Sequence, residues 1–210
     1  MAILSALQLA DPPELWADLG FRVESGRARV GTIELRLGSG GEGIDGWTLA
    51  AVEAPGGGTT AIDGLPTTVT EEPADGAPAP GHPNGVTGLD HVVVTTPDLE
   101  RTVGALGQVG VFERRRRDAG RPGQPSTQVF FRLGEAILEL VGPPEAAGDG
   151  PARFWGLAFK VSDMDTTAGA LGERLRDIKS AVQPGRFIAS LDRAAGSSIP
   201  IAFMTAGQGR

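Results

Sequence analysis

Few side chains in this sequence could carry acid–base or metal chemistry. It has two histidines and no cysteine, so thiolate nucleophiles, disulfides, zinc ribbons and iron–sulfur clusters are excluded together. His82 lies in a Gly81-His82-Pro83-Asn84 turn, whereas His91 opens the apolar run Val92-Val93-Val94. Glu139 stands between Leu138 and Leu140 on an otherwise apolar stretch. A carboxylate there needs a partner if that face is enclosed, and His91 is the obvious one. Such a pair could act as a general base or hold a ligand by hydrogen bonds. It could equally be an ion pair with no catalytic role.

Around that pair, Gln128, Arg132, Trp155, Arg186 and Phe203 are the expected ligand-binding side chains. Arg186 follows a Pro184-Gly185 turn that would bring it towards a cleft mouth. Arg114 to Arg117 fall on an expected strand, so alternate members face opposite sides. A solvated, edge-protecting strand is the commoner outcome for such a run, and an anion clamp the rarer one. No phosphate-cradling glycine loop with its lysine and no Gly-x-Ser-x-Gly elbow is present.

The elements that must position these residues repeat. A shift of 65 places residues 101–108 (RTVGALGQ) on 166–173 (TTAGALGE), Asp98 on Asp163 and Leu99 on Met164. Val92-Val93-Val94 falls on Leu157-Ala158-Phe159. Each copy reads as a strand, an aspartate suited to cap a helix, and an amphipathic helix. Expected strands follow at 111–117, 128–133 and 136–141, and again at 178–182, 186–191 and 199–205, giving two β-α-β-β-β modules. A weaker echo pairs Trp47-Thr48-Leu49-Ala50 with Trp155-Gly156-Leu157-Ala158. With expected strands at 3–9 and within 21–37 and a helix at 13–19, it suggests a degenerate paired unit with a truncated last module. Residues 71–84 hold four prolines and almost no large apolar side chain, the composition of a linker. The expected organisation is therefore a degenerate unit at 1–70, a linker at 71–86, and a complete domain at 87–210 with modules at 87–142 and 154–206.

Length and charge bound the rest. The 210 residues suffice for one large domain or two small ones. A net charge of -7, from 19 basic and 26 acidic residues, argues against nucleic acid as a partner. No apolar run approaches the roughly 20 residues that span a bilayer. The short apolar N-terminus lacks a basic leader and reads as a buried strand, so the expectation is a cytoplasmic protein.

The opening stretch at 88–99 (GLDHVVVTTPDL) and the strand at 136–142 (AILELVG) resemble the glyoxalase/bleomycin-resistance/extradiol-dioxygenase superfamily, also called vicinal oxygen chelate. The resemblance implies an α+β fold of paired β-α-β-β-β modules, each a curved mixed sheet forming a cleft. It also implies a divalent metal held by a histidine on the first strand and a glutamate on the last strand of each module. His91 and Glu139 occupy those positions in the first module. The repeat puts Gly156 and Ala202 at the corresponding positions of the second, and neither has a donor. In the N-terminal unit the corresponding positions are taken as Leu4, Glu34 and Thr48.

Catalytic metal sites usually have about three protein ligands, so the resemblance arrives with half of its metal site missing. The leading expectation is a cleft that binds or transforms a small oxygenated or carboxylated molecule, with no cofactor. The first alternative is a divalent-metal-dependent lyase, isomerase or dioxygenase using His91 and Glu139. The second is a non-catalytic interaction module, and a homodimer is compatible with any of the three.

Overall fold

A computed structural model of the chain describes residues 1–52, 58–72 and 81–207. Two mixed sheets form. The first contains β1 (Ile3–Leu9), β2 (Arg27–Val30), β3 (Ile33–Leu37), β4 (Ile44–Ala50), β5 (Gly58–Ile62) and β6 (Leu65–Thr70), with α1 (Pro13–Asp18) after β1. The second contains β7 (Val86–Thr95), β8 (Glu113–Asp118), β9 (Thr127–Leu133), β10 (Ala136–Gly142), β11 (Arg153–Val161), β12 (Lys179–Ser180), β13 (Phe187–Ser190) and β14 (Ile201–Thr205). Helices α2 (Leu99–Gly107) and α3 (Met164–Leu171) follow β7 and β11.

The second sheet runs β12-β13-β14-β11-β7-β10-β9-β8. Its centre is the antiparallel β7–β11 pair, flanked by parallel β10 and parallel β14. Each half is a β-α-β-β-β module, and the halves are related by a two-fold pseudo-axis between β7 and β11. The helices start where short carboxylates can accept orphan amide hydrogens: Asp98 from Arg101 N–H and Asp163 from Thr166 N–H.

The register obeys the 65-residue repeat. His91 faces Ala158 while Val93 faces Gly156, and Val92 faces Leu157; the shift exchanges the first two pairs and maps the third onto itself. Two of its three irregularities obey it as well, because Asp90 and Trp155 are skipped in the pairing at related positions, whereas the third, at Thr87, lies beyond the repeated part of the pair. Strand alternation then sends Val92, Val94, Leu157 and Phe159 into the core.

The first sheet, β2-β3-β1-β4-β6-β5, repeats this layout with one fewer strand at each edge. Its central β1–β4 pair has bulges at Ser5 and Asp45, the counterparts of Asp90 and Trp155. This register corrects the sequence alignment by two residues. Trp47, fully buried, corresponds to Leu157 and not to Trp155. The positions matching His91, Glu139, Gly156 and Ala202 are Ala6, Arg36, Gly46 and Thr68, not Leu4, Glu34 and Thr48. The error comes from matching Trp47 to Trp155, since the bulges themselves recur at corresponding places in both sheets.

The two sheets share one apolar core. Trp16 of α1 is fully buried, 6.0 Å from the Phe159 ring of β11, and Phe21 lies 5.2 Å from Phe159. Polar ties lie at its rim: Asp63 accepts from Arg101 Nε at 2.8 Å, and Glu135 from Thr32 N–H at 2.7 Å. The end of the proline-rich stretch, linker-like in composition, is also held in place. His82 is buried, its Nδ1 accepting from Arg22 N–H and its Nε2–H donating to Arg29 O, each at 2.9 Å. Burial first, and the nearby Arg22 charge, hold its pKa below the usual histidine value despite the opposing bond to Arg29. Asn84, with no exposed surface, donates to Leu19 O and accepts from Val86 N–H. Residues 73–80 of that stretch lie outside the described residues.

Candidate functional site

The concave side of the second sheet encloses a cavity of about 830 Å³. His91, Val93 and Thr95 project into it from β7, Glu139 and Val141 from β10, and Gln128 from β9. These residues alternate with core-facing ones, so the pleat itself brings them together. From the second half come Trp155, Leu157, Ala158, Ile201 and Ala202. The loop between β13 and β14 closes that side with Asp192, Arg193 and Ser197 to Pro200, and Arg176 stands beside it.

A chain of polar contacts crosses the first half. His91 Nδ1 lies 2.9 Å from Asp90 Oδ2, and Asp90 Oδ1 accepts from Arg186 Nη2 at 2.5 Å. Burial pushes the Asp90 carboxyl up, but hydrogen bonds from His91 and Arg186, together with the Arg186 charge, outweigh it and bring the pKa down to about 2. An ionised Asp90 can only accept, so Nδ1 of His91 carries the hydrogen. His91 Nε2 faces Glu139 Oε2 at 3.7 Å, beyond direct hydrogen-bond reach. Glu139 Oε1 accepts instead from Gln128 Nε2 at 2.5 Å, and Gln128 Oε1 accepts from Arg117 Nε at 3.0 Å. The imidazole is thus oriented by one carboxylate and faced by a second, with a guanidinium behind each.

The expected ligand-binding set divides. Gln128 and Trp155 line the cavity with His91 and Glu139, Trp155 being 52% exposed. Arg186 is buried beneath it on Asp90, where it supports the histidine instead of reaching the mouth. Phe203 is fully buried, its ring 6.1 Å from Phe159; Ala202 faces the cavity, so its neighbour must face the core. Arg132 is exposed and outside the lining. In the arginine run, Arg116 pairs with Glu100 and Glu113 on the exposed edge strand β8, and only Arg117 turns inward, over the Phe130 ring at 5.7 Å.

Sequence reasoning passed over Asp90, whose carboxylate ahead of an apolar run was a usable signal. It also passed over Arg176, Asp192, Arg193 and Ser197, which lie in irregular segments where no periodicity marks a facing side.

The donor set does not fit a chelated metal. Parallel pairing sets Glu139 beside Val93 and Ala202 beside Ala158, which the two-fold relates, so Gly156 and Ala202 stand where His91 and Glu139 stand in the first half. Neither offers a lone pair. Among the described residues no three histidine or acidic side chains converge. Nor is the glycine a simple vacancy: a Cβ there would lie 2.5 Å from Pro200 O, the carbonyl that accepts from Leu157 N–H. The β13–β14 loop fills the place a second histidine would need.

No family model and no curated protein matches this sequence. Solved structures do match in fold. A mutant 4-hydroxymandelate synthase from Streptomyces coelicolor superposes with a TM-score of 0.68 at 16% identity, over 99% of this chain and 93% of that one. A catechol 2,3-dioxygenase gives 0.60 at 14% identity, over 98% and 92%. A xylose isomerase-like TIM barrel/4-hydroxyphenylpyruvate dioxygenase fusion protein gives 0.61 at 12% identity, over 99% of this chain and 49% of that one. With its paired β-α-β-β-β modules about a concave cleft, the chain has the glyoxalase-like, vicinal oxygen chelate fold.

Proposed function

We propose that the cavity binds a small oxygenated or carboxylated molecule without a tightly bound metal, with His91 and Glu139 at its reactive end. The observation that carries this is the oriented imidazole: Asp90 fixes its Nδ1–H, leaving the Nε2 lone pair facing an 830 Å³ cavity. That volume is typical of small-molecule sites. At the opposite side Arg176 pairs with Asp192 at 3.0 Å, and Arg193 stands with Ser190, Ser197 and Ser198, donors suited to a carboxylate. Between the two ends Val93, Val141 and Trp155 offer apolar surface for a ring or short chain.

In this arrangement His91 Nε2 can accept a hydroxyl hydrogen or take a proton from carbon next to a carbonyl. Glu139, 3.7 Å away, faces the charge that results. Structures sharing the fold are named for work on oxygenated aromatic compounds, so 4-hydroxymandelate is a sensible first probe. Calorimetric titration should show saturable binding that weakens about tenfold or more in His91→Ala, the loss expected for a hydrogen bond to a charged group. Binding unchanged in that variant would remove His91 from the site. Failure of 4-hydroxymandelate, glycolate and catechol alike would leave the interaction-module reading in its place.

A further inference from the structure

We propose that Asp11, in the N-terminal half, is the positioning residue that holds the Ser197–Pro200 wall of the cavity, so that the first sheet shapes the second sheet's site. The claim rests on the reading of that cavity as a ligand site. Asp11 is 5% exposed and uses both carboxylate oxygens on this one loop: Oδ2 accepts from Ser197 Oγ–H at 2.8 Å and Oδ1 from Ser198 N–H at 2.9 Å. Ser197 Oγ in turn accepts from Ile199 N–H at 3.3 Å. The backbone of Asp11 is itself fixed, its carbonyl accepting from Gly38 N–H at 2.9 Å beside the end of β3.

All four residues from Ser197 to Pro200 line the cavity. The hold therefore passes from Asp11 to Ser198, along two residues to Pro200, and from Pro200 O to Leu157 N–H at 3.0 Å on the cavity floor. The same carbonyl covers Gly156. The two halves also approach closely beside this path. A Cβ at Gly196 would lie 3.6 Å from Leu15 Cδ1, and one at Gly43 would lie 3.4 Å from Ile199 Cγ2. A carboxylate buried at a junction and bonded through its side chain, among the described residues, to one loop is costly unless that loop stays in place. The loop and the carboxylate thus fix each other.

The position makes Asp11 a determinant of selectivity. Loosening the wall enlarges the apolar middle of the cavity and leaves the His91 end, built on β7 and β10, as it was. A ring-bearing acid then loses its close fit, whereas a small acid held only by polar contacts loses little.

The test is site-resolved amide hydrogen exchange on the full chain, with and without Asp11→Ala. Exchange at Ser198, Ile199 and Leu157 should speed up about tenfold or more, the loss expected for a charge-assisted bond, with β9 and β10 unchanged. Asp11→Asn keeps an acceptor for Ser198 N–H and should restore most of the protection. The ratio of affinities for 4-hydroxymandelate and glycolate should fall in Asp11→Ala, a change that general destabilisation does not produce. Wild-type exchange at those three amides, or acceleration spread evenly over the first sheet, overturns the proposal. If Asp11→Ala does not fold, Ser197→Ala is measured for a smaller acceleration at the same amides, and its absence counts equally against the proposal. Exchange needs no ligand, so a failed titration strikes the binding reading while unchanged exchange strikes the role of Asp11.

Discussion

The two halves of the second sheet share a backbone and differ in chemistry. β7 and β11 carry bulges at related positions, and β10 and β14 pair with them in the same register. On that common frame, Asp90, His91 and Glu139 in one half answer to Trp155, Gly156 and Ala202 in the other. The first half presents two carboxylates and an imidazole; the second presents an indole, a bare backbone and a methyl group. A repeated frame supplies two equivalent sets of inward-facing positions, and side chains alone decide whether a set is polar or apolar. The asymmetry sets a polar cluster in the first half against an apolar floor in the second, with Arg176 and Arg193 beyond that floor, which suits an oriented ligand better than a metal held symmetrically between modules.

Arg186 joins the halves, since it comes from the second module and neutralises Asp90 of the first at 2.5 Å, the two side chains being 9% and 7% exposed. Arg186→Ala leaves a buried carboxylate with the His91 hydrogen bond but without its guanidinium, and should cost about 3 kcal/mol of unfolding free energy, read by urea denaturation at neutral pH. A cost near that of a surface pair, under about 1 kcal/mol, would mean that the tie between modules carries little.

Acid should distinguish the halves next. Asp90 falls from 3.8 to about 2 on folding, so its contribution is fully present above the unfolded value and is lost as pH falls from near 4 towards 2. The linkage amounts to about 2 kcal/mol. Comparing wild type with Asp90→Asn over that range should show a shallower acid loss in the variant, and parallel curves would contradict it. The related position in the other half is Trp155, which does not titrate.

Gly156→His asks whether the second half has only lost a donor. With Pro200 O at 2.5 Å from a Cβ there, the side chain must displace the loop. The expected cost is about 1–3 kcal/mol, with no divalent metal retained after dialysis even alongside Ala202→Glu. A double variant as stable as wild type that holds one metal per chain would show the two halves to be interchangeable after all.

Much of this asymmetry could be read from residue order, because the 65-residue shift names Gly156 and Ala202 directly and the β7–β11 register follows the same shift. The repeat was readable where helix and strand recur at constant spacing. It failed in the N-terminal half, where Trp47 drew the alignment to Trp155 although Asp45 holds that place. A shared tryptophan does not mark register; the strand pairing does. Phe203 was misplaced by composition too, since an aromatic beside a cavity-facing alanine must point the other way along a strand. The contacts of Asp11 with Ser197 and Ser198 span more than 180 residues of sequence. Neither partner lies in a periodic segment, so nothing local announced them.

The central claim is a ligand site that works through the polar half without a metal. Its most direct test is calorimetric titration of 4-hydroxymandelate into chelator-treated protein, repeated after adding a divalent cation and in His91→Ala. The account predicts the same affinity with and without the cation, and about tenfold weaker binding in the variant. Binding that appears only with the cation, at one metal per chain, would contradict it.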